Sequence, residues 1–212
     1  MIEHVYKNLE SPDWEVAVVT DDARIENTVQ NFGGKAYRVD DDVISGTLRI
    51  QLAYKRYFED KNFEYIINIQ GDEPLIKKSH VTNLLKEHER SDSDIATLFN
   101  KREVDSEFHS PHNVKIAMNE DNGRCLYFSR SAIPHSVNSK NHSWNHHVGV
   151  YSYKAKALEK FACLEKSKLE MLENLEQLRA LENGMSIYAF EVKDKLIGVD
   201  TPEDILKVEQ ML

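Results

Sequence analysis

Phe63-Glu-Tyr-Ile-Ile-Asn-Ile69 runs directly into Gln70-Gly71-Asp72-Glu73-Pro74, so a β-branched, nearly apolar stretch stops abruptly at a polar turn. A run of this length and composition is the pattern of a buried strand covered on both faces, as in a parallel sheet. Upstream, Trp14 to Thr20 repeats the pattern. Asp21-Asp22 then precede apolar positions at Ile25, Val29 and Phe32 and a stop at Gly33-Gly34, which predicts a capped helix, and Lys35 to Val39 completes a βαβ unit. Ser45-Gly46-Thr47 opens a helix toward Tyr57. Downstream, a helix from about Ser79 to Glu89 leads to a strand over Asp94 to Leu98. This alternation predicts an α/β fold, a mostly parallel or mixed sheet with helices on both faces.

From Asn113 the rhythm changes to closely spaced strands, Val114 to Met118, Cys125 to Ser129 and His147 to Tyr153, which reads as a smaller mixed-sheet lobe over residues 113–165 within a single domain. One helix is expected from Leu169 to Asn183, ending at Gly184. A strand over Ser186 to Val192 and a helix begun by Thr201-Pro202-Glu203-Asp204 follow, with proline in the first turn.

The 212 residues carry 36 acidic and 27 basic side chains, a net charge of −9, which disfavours nucleic acid as a partner. The longest apolar runs, such as Val16 to Val19, fall far short of the ~20 residues of a membrane helix, so no membrane association is expected. Cys125 and Cys163 form no disulfide framework, which favours a reducing, cytoplasmic setting.

In open parallel sheets ligands bind beyond the carboxyl ends of strands, where Gln70 to Pro74 falls. Gly71 permits close backbone approach, and Asp72 offers a hard oxygen of the kind Mg²⁺ takes beside substrate phosphates; an acidic turn that caps a helix is the alternative. Gly198-Val199-Asp200-Thr201 places a second carboxylate before a helix, where Asp200 is either a metal ligand or an N-cap. On one continuous helix Glu170, Glu173 and Gln177 share an edge while Leu172, Leu175 and Leu178 face the core; solvation is the ordinary reason for such an edge. Arg130, after a strand, has the fork that grips a carboxylate. His142, His146 and His147 lack an accompanying Cys and match no standard zinc spacing.

Taken together, Ser45-Gly46-Thr47, Gln70 to Pro74, Asn113-Val-Lys115, Tyr127-Phe-Ser-Arg130, His147-Val-Gly149-Val-Tyr151, Leu175-Glu-Gln-Leu-Arg179 and Gly198 to Asp204 resemble the CMP-Kdo synthetases, the 3-deoxy-manno-octulosonate cytidylyltransferases. The order and spacing match over essentially the whole chain. The resemblance implies a Rossmann-like nucleotidyltransferase fold whose smaller lobe covers the sugar and helps form a homodimer. It also implies the reaction: CTP and Kdo give CMP-Kdo and pyrophosphate for lipopolysaccharide synthesis, with Mg²⁺ held by Asp72 and Asp200. Gln70, Arg130, His147, Glu173, Glu176 and Gln177 match motifs of the sugar-acid site, with Arg130 as partner of the Kdo carboxylate. Ser45, Gly46, Thr47 and Arg49 resemble the loop near cytosine and ribose, with Gly71 beside them in the binding set.

Three departures stand out. Family members begin with a strand and a basic, Gly/Pro-containing loop that grips the triphosphate, whereas Met1 to Val5 resembles the segment that follows it, so this polypeptide alone is expected to be weakly active or inactive. Leu48 stands where the family usually has Asp, and Lys168 where it usually has proline. The rival expectations are a catalytically inactive homologue acting as a dimerising or sugar-binding module, and a glycosyltransferase using Asp72 for its metal. An 8-amino analogue of Kdo is an equally open substrate.

Overall fold

The computed structural model describes residues 1–43, 45–137, 143–199 and 201–211. The chain forms two compact units, Met1–Asn83 with Leu196–Leu212, and Leu84–Lys195.

The first unit opens with α1 (Ile2–Leu9), whose Val5, Tyr6 and Leu9 are buried. The Tyr6 hydroxyl donates to the Val16 carbonyl at 3.4 Å and accepts from the Lys35 amide at 3.1 Å, tying the helix to the approaches of the next two strands. These are β1 (Val18–Thr20) and β2 (Ala36–Arg38), paired in parallel with Val18 opposite Ala36. Between them lies α2 (Ala23–Asn31), capped by Asp22, whose carboxylate accepts from the Arg24 amide at 2.7 Å. Beyond the Phe32 cap, Gly33 takes φ +81°, the left-handed geometry that lets the chain leave the helix at little cost. The expected βαβ unit is therefore present. Then come α3 (Gly46–Tyr57) and β3 (Tyr65–Ile69), while α4 (Lys78–Ser91) runs in sequence across the boundary between the units.

The second unit contains β4 (Ile95–Glu103), α5 (Ser106–His109), β5 (Lys115–Met118), β6 (Cys125–Ser129), β7 (Ser143–Lys154), α6 (Ala155–Ala162), α7 (Lys168–Glu173), α8 (Gln177–Glu182) and β8 (Ile187–Glu191). Its strands lie in the order β6-β5-β7-β4-β8. Only β4 with β8 is a parallel pair along this path; β4–β7, β5–β6 and β5–β7 are antiparallel, so the sheet is mixed. Strands β4 and β7 extend beyond the expected 94–98 and 147–153, because polar residues at their ends pair across the ladder, Lys101 with Asn145 and Glu103 with Ser143. Trp144, Phe128, Ile95, Leu98, Ile116, Leu158 and Phe161 fill the core. The last helix, α9 (Pro202–Glu209), belongs to the first unit and begins with a capping box between Thr201 and Asp204.

One expectation is overturned. The single helix predicted over Leu169 to Asn183 is broken: Asn174 adopts φ +52°, and α7 ends at Glu173 while α8 starts at Gln177. Asn tolerates the left-handed region better than most residues, and its placement after an apolar turn stops the helix. The periodicity argument that placed Leu172 in the core fails with it, since Leu172 is 71% exposed. Glu170, Glu173 and Gln177 do not share one helical edge.

Candidate functional site

In the first unit, Ser45 caps α3 by accepting from the Leu48 amide at 3.4 Å, so the Ser-Gly-Thr motif is a helix start as read. Nothing lies within contact distance of a Cβ at Gly46, while Thr47 is buried. Arg49 donates one guanidinium nitrogen to the Val39 carbonyl and pairs with Asp21 at 2.7 Å through the other, so it braces the loops after β1 and β2. Gln70 to Pro74 leave the carboxyl end of β3 in a turn closed by the Glu73 amide donating to the Gln70 carbonyl at 3.2 Å.

The Val199 amide donates to the Asp72 carbonyl at 2.8 Å, and a Cβ at Gly198 would meet Glu73 Oε1 at 3.6 Å. The 198–199 segment therefore lies against the β3 turn, and residue 200 follows one position beyond the bond. Asp200 itself lies outside the described residues, as does His142 of the histidine set. Among the described residues no three His, Cys, Asp or Glu side chains are gathered to hold a metal.

The second unit builds a denser polar arrangement. On β6, Tyr127 and Ser129 direct hydroxyls onto Glu173 Oε1 at 3.4 and 2.7 Å, and the Arg130 amide donates to Glu173 Oε2 at 2.9 Å. Burial, reinforced by the Glu173 charge, raises the Tyr127 phenol above its ordinary pKa. The Arg130 guanidinium donates to three carbonyls: Glu173 at 2.8 Å, Pro111 at 3.0 Å and Asn174 at 3.4 Å. With three of its five N–H groups so engaged, Arg130 presents less of a fork to a carboxylate than the sequence implied. Fully buried Lys115 donates to the carbonyls of Ser110 and Asn113 at 2.8 Å and of Arg130 at 2.5 Å.

His147 is placed by an irregularity in the sheet. Thr97 pairs with Tyr151 and Leu98 with Val148, so β7 carries Gly149 and Val150 as extra residues, a bulge of the kind found beside active sites. Thr97 Oγ1 lies 2.8 Å from the Val150 carbonyl and 3.1 Å from His147 Nε2. The hydroxyl has one proton, which the carbonyl takes, so Nε2–H donates to Thr97 and Nδ1 is the open acceptor. Burial pushes the His147 pKa down to about 3, which keeps the ring neutral. Gln177 is 5% exposed, and its Nε2 has no acceptor among the described residues; a buried amide donor in that state is poised for a ligand atom. Glu176 is the N-cap residue of α8, next to Gln177.

Glu170, by contrast, is structural: it closes a capping box with Ser167 and holds Arg179 through bonds of 2.7 and 2.5 Å, with the Arg179 guanidinium 4.8 Å from the Phe161 ring centre. Lys115, Tyr127 and Thr97 were not singled out from the sequence, although the first two sit in quoted motifs; Ser129 was read only beside Arg130 as a neighbour of the substrate carboxylate. A lysine within an otherwise apolar strand was the available signal.

The cytidylyltransferase family model matches residues 1–187. This chain belongs to the cytidylyltransferase family. The chain is 40% identical to a 3-deoxy-manno-octulosonate cytidylyltransferase of Thermodesulfovibrio yellowstonii, over 100% of this chain and 88% of that protein. It is also 40% identical to an 8-amino-3,8-dideoxy-manno-octulosonate cytidylyltransferase of a Shewanella species, over 100% and 87%. A solved CMP:2-keto-3-deoxy-manno-octonic acid synthetase complexed with CTP superposes with a TM-score of 0.87 at 37% identity, over 99% of this cytidylyltransferase and 86% of the other chain.

Proposed function

We propose that this nucleotidyltransferase activates Kdo with CTP, giving CMP-Kdo and pyrophosphate for lipopolysaccharide assembly. The observation that carries the reading is the match in fold and sequence, over nearly the whole chain, to a synthetase solved with CTP. The anomeric hydroxyl of the sugar acid attacks the α-phosphorus in line as pyrophosphate leaves, so the protein's task is to position the partners.

The residues at the β3 turn fit a magnesium ion. Asp72 supplies a carboxylate at the carboxyl end of a strand, the Val199 amide donates to the Asp72 carbonyl, and Asp200 is the second ligand the family resemblance implies. Mg²⁺ there would neutralise phosphate charge during transfer. Ser45, Gly46, Thr47 and Arg49 form the nucleotide side, with Gly71 at the turn, while the neighbouring Gln70 is assigned to the sugar acid. On the acid side, the Gln177 amide donates to the substrate, the neutral His147 ring accepts at Nδ1, and Glu176 receives a sugar hydroxyl. Arg130 retains two N–H groups toward the carboxylate. The reading includes a homodimer in the cytoplasm. No helix among the described residues is long and apolar enough to cross a membrane.

Incubation with CTP, Mg²⁺ and either Kdo or its 8-amino analogue, scored for pyrophosphate, tests the proposal and ranks the two acids. Pyrophosphate formed with Kdo and absent without it is the expected result. Consumption of CMP-sugar with no use of CTP would instead identify a glycosyltransferase.

A further inference from the structure

Lys115 and Glu173 grip the same residue from opposite sides. Lys115 Nζ donates to the Arg130 carbonyl at 2.5 Å, and Glu173 Oε2 accepts from the Arg130 amide at 2.9 Å. Arg130 then reaches across to the carbonyls of Glu173 and Asn174, the last residue of α7 and the left-handed residue that breaks the helix. The break is what ends α7 and starts α8 three residues later with Glu176 and Gln177 at its opening. Neither Lys115 nor Glu173 has its head group directed at open space: the ammonium makes three bonds to carbonyls, and the carboxylate accepts from Tyr127, Ser129 and Arg130.

We infer that Lys115 and Glu173 are positioning residues that clamp Arg130 and the α7–α8 break, so that Glu176 and Gln177 are held at the spacing the sugar acid requires. Glu173 is thereby moved from the set of substrate-touching groups to the set that supports them. The chemistry suits the task. A lysine supplies three donors to converging carbonyls from one compact centre, which a planar guanidinium does not match, and the Glu173 carboxylate has acceptor capacity for two hydroxyls and an amide together. A part-buried network that joins Lys115, Ser129, Arg130 and Glu173 through this many bonds favours one arrangement of the backbone it ties together. The inference rests on the acid-side reading above, in which Gln177 and Glu176 meet the substrate.

The test uses Glu173→Gln and Lys115→Met in the full chain. Glu173→Gln keeps the shape but replaces one acceptor oxygen with a donor that faces either the Arg130 amide or the two hydroxyls. Displacement of a binding group by about 1 Å can cost on the order of 100-fold, so the KM for the sugar acid should rise by roughly 10- to 100-fold in both variants. The KM for CTP should stay within about twofold, because the bonds of Lys115 and Glu173 given above go to Ser110, Asn113, Tyr127, Ser129 and Arg130, none of them assigned to the nucleotide. A loss of folded fraction alone would lower kcat and leave both KM values unchanged, and that result in Glu173→Gln overturns the inference even if Lys115→Met fails to fold. Hydrogen exchange read on the unliganded proteins separates this inference from the functional reading. Glu173→Gln should speed exchange in peptides covering 127–131 and 173–178 while leaving 187–191 unchanged. Should the parent chain transfer nothing to Kdo, the functional reading fails while accelerated exchange still upholds the clamp; unaltered exchange in both peptides refutes the clamp whatever the activity.

Discussion

The two units handle charge differently. In the first, acidic and basic side chains meet mostly at the surface: Lys7 with Glu3, Lys35 with Glu15, and Arg56 with Asp41 all leave well over a third of at least one partner exposed. The second has surface pairs too, such as Lys101 with Glu120, but it also takes charge inside and satisfies it there. The Glu170 and Arg179 side chains are 8% and 1% exposed, and Lys115 is fully buried among carbonyls. Surface pairs are screened and hold little structure, whereas a buried pair stripped of one partner leaves an uncompensated charge. The comparison teaches that the second unit relies on buried polar chemistry for part of its internal shape, whereas the ion pairs of the first lie mostly at its surface.

The largest expected effect comes from breaking the buried pair. Glu170→Ala leaves Arg179 unpaired and should lower unfolding stability by about 3–5 kcal/mol in urea titrations, with little dependence on salt. A loss below about 1 kcal/mol would erase the distinction between the units. Next is Asp72→Asn, which should cut the rate of cytidylyl transfer by on the order of 100-fold or more while the protein unfolds at a nearly unchanged urea concentration. Equal losses of rate and stability would assign Asp72 to structure instead.

Acid should expose the second unit's buried histidines. His88 accepts at Nδ1 from Ser152 or donates to it at 2.8 Å, lies 3.1 Å from the Ser93 carbonyl through Nε2, and has its pKa pushed down to about 4 by burial. An unfolded histidine titrates near 6.5, so between these values the unfolded chain binds the extra proton. Stability from this group is complete above pH ~6.5 and falls as the pH drops toward 4, by about 1.4 kcal/mol per pH unit. Urea midpoints at pH 7 and pH 5 should therefore differ, and His88→Asn should reduce that difference; an identical slope in the variant would contradict the assignment. The smallest effect belongs to the first unit's surface: Arg56→Ala should cost less than about 1 kcal/mol and disappear in high salt.

Much of the framework was legible because its signals are local. Asp22 before Ile25 and Val29, and Gly33 after Phe32, announce a capped helix without reference to anything distant, and α2 forms as read. The start of α3 at Ser45 was legible for the same reason. What escaped depends on tertiary partners. The run Leu169 to Asn183 keeps helical periodicity straight through Asn174, yet Asn174 turns left-handed there and the carbonyls at the break accept from distant Arg130. The clamp itself joins residues 43 or more apart in sequence through Glu173 and Arg130, and no periodicity registers such a contact. The bulge that sets His147 against Thr97 is likewise invisible until the β4–β7 register is known. The link between the β3 turn and the 198–199 segment was anticipated only as two carboxylates that could share a metal, since no local pattern registers the Val199–Asp72 bond.

The central claim is cytidylyl transfer to an eight-carbon sugar acid, and a ³¹P NMR time course of the 212-residue chain with CTP, Mg²⁺ and Kdo tests it most directly. The account predicts that, at the weak rate expected of this polypeptide alone and therefore at high protein concentration, the three CTP resonances decay as pyrophosphate and a single phosphodiester resonance grow in equal amounts. CTP left intact in the presence of folded protein and Kdo, or lost to CDP and inorganic phosphate, would contradict it.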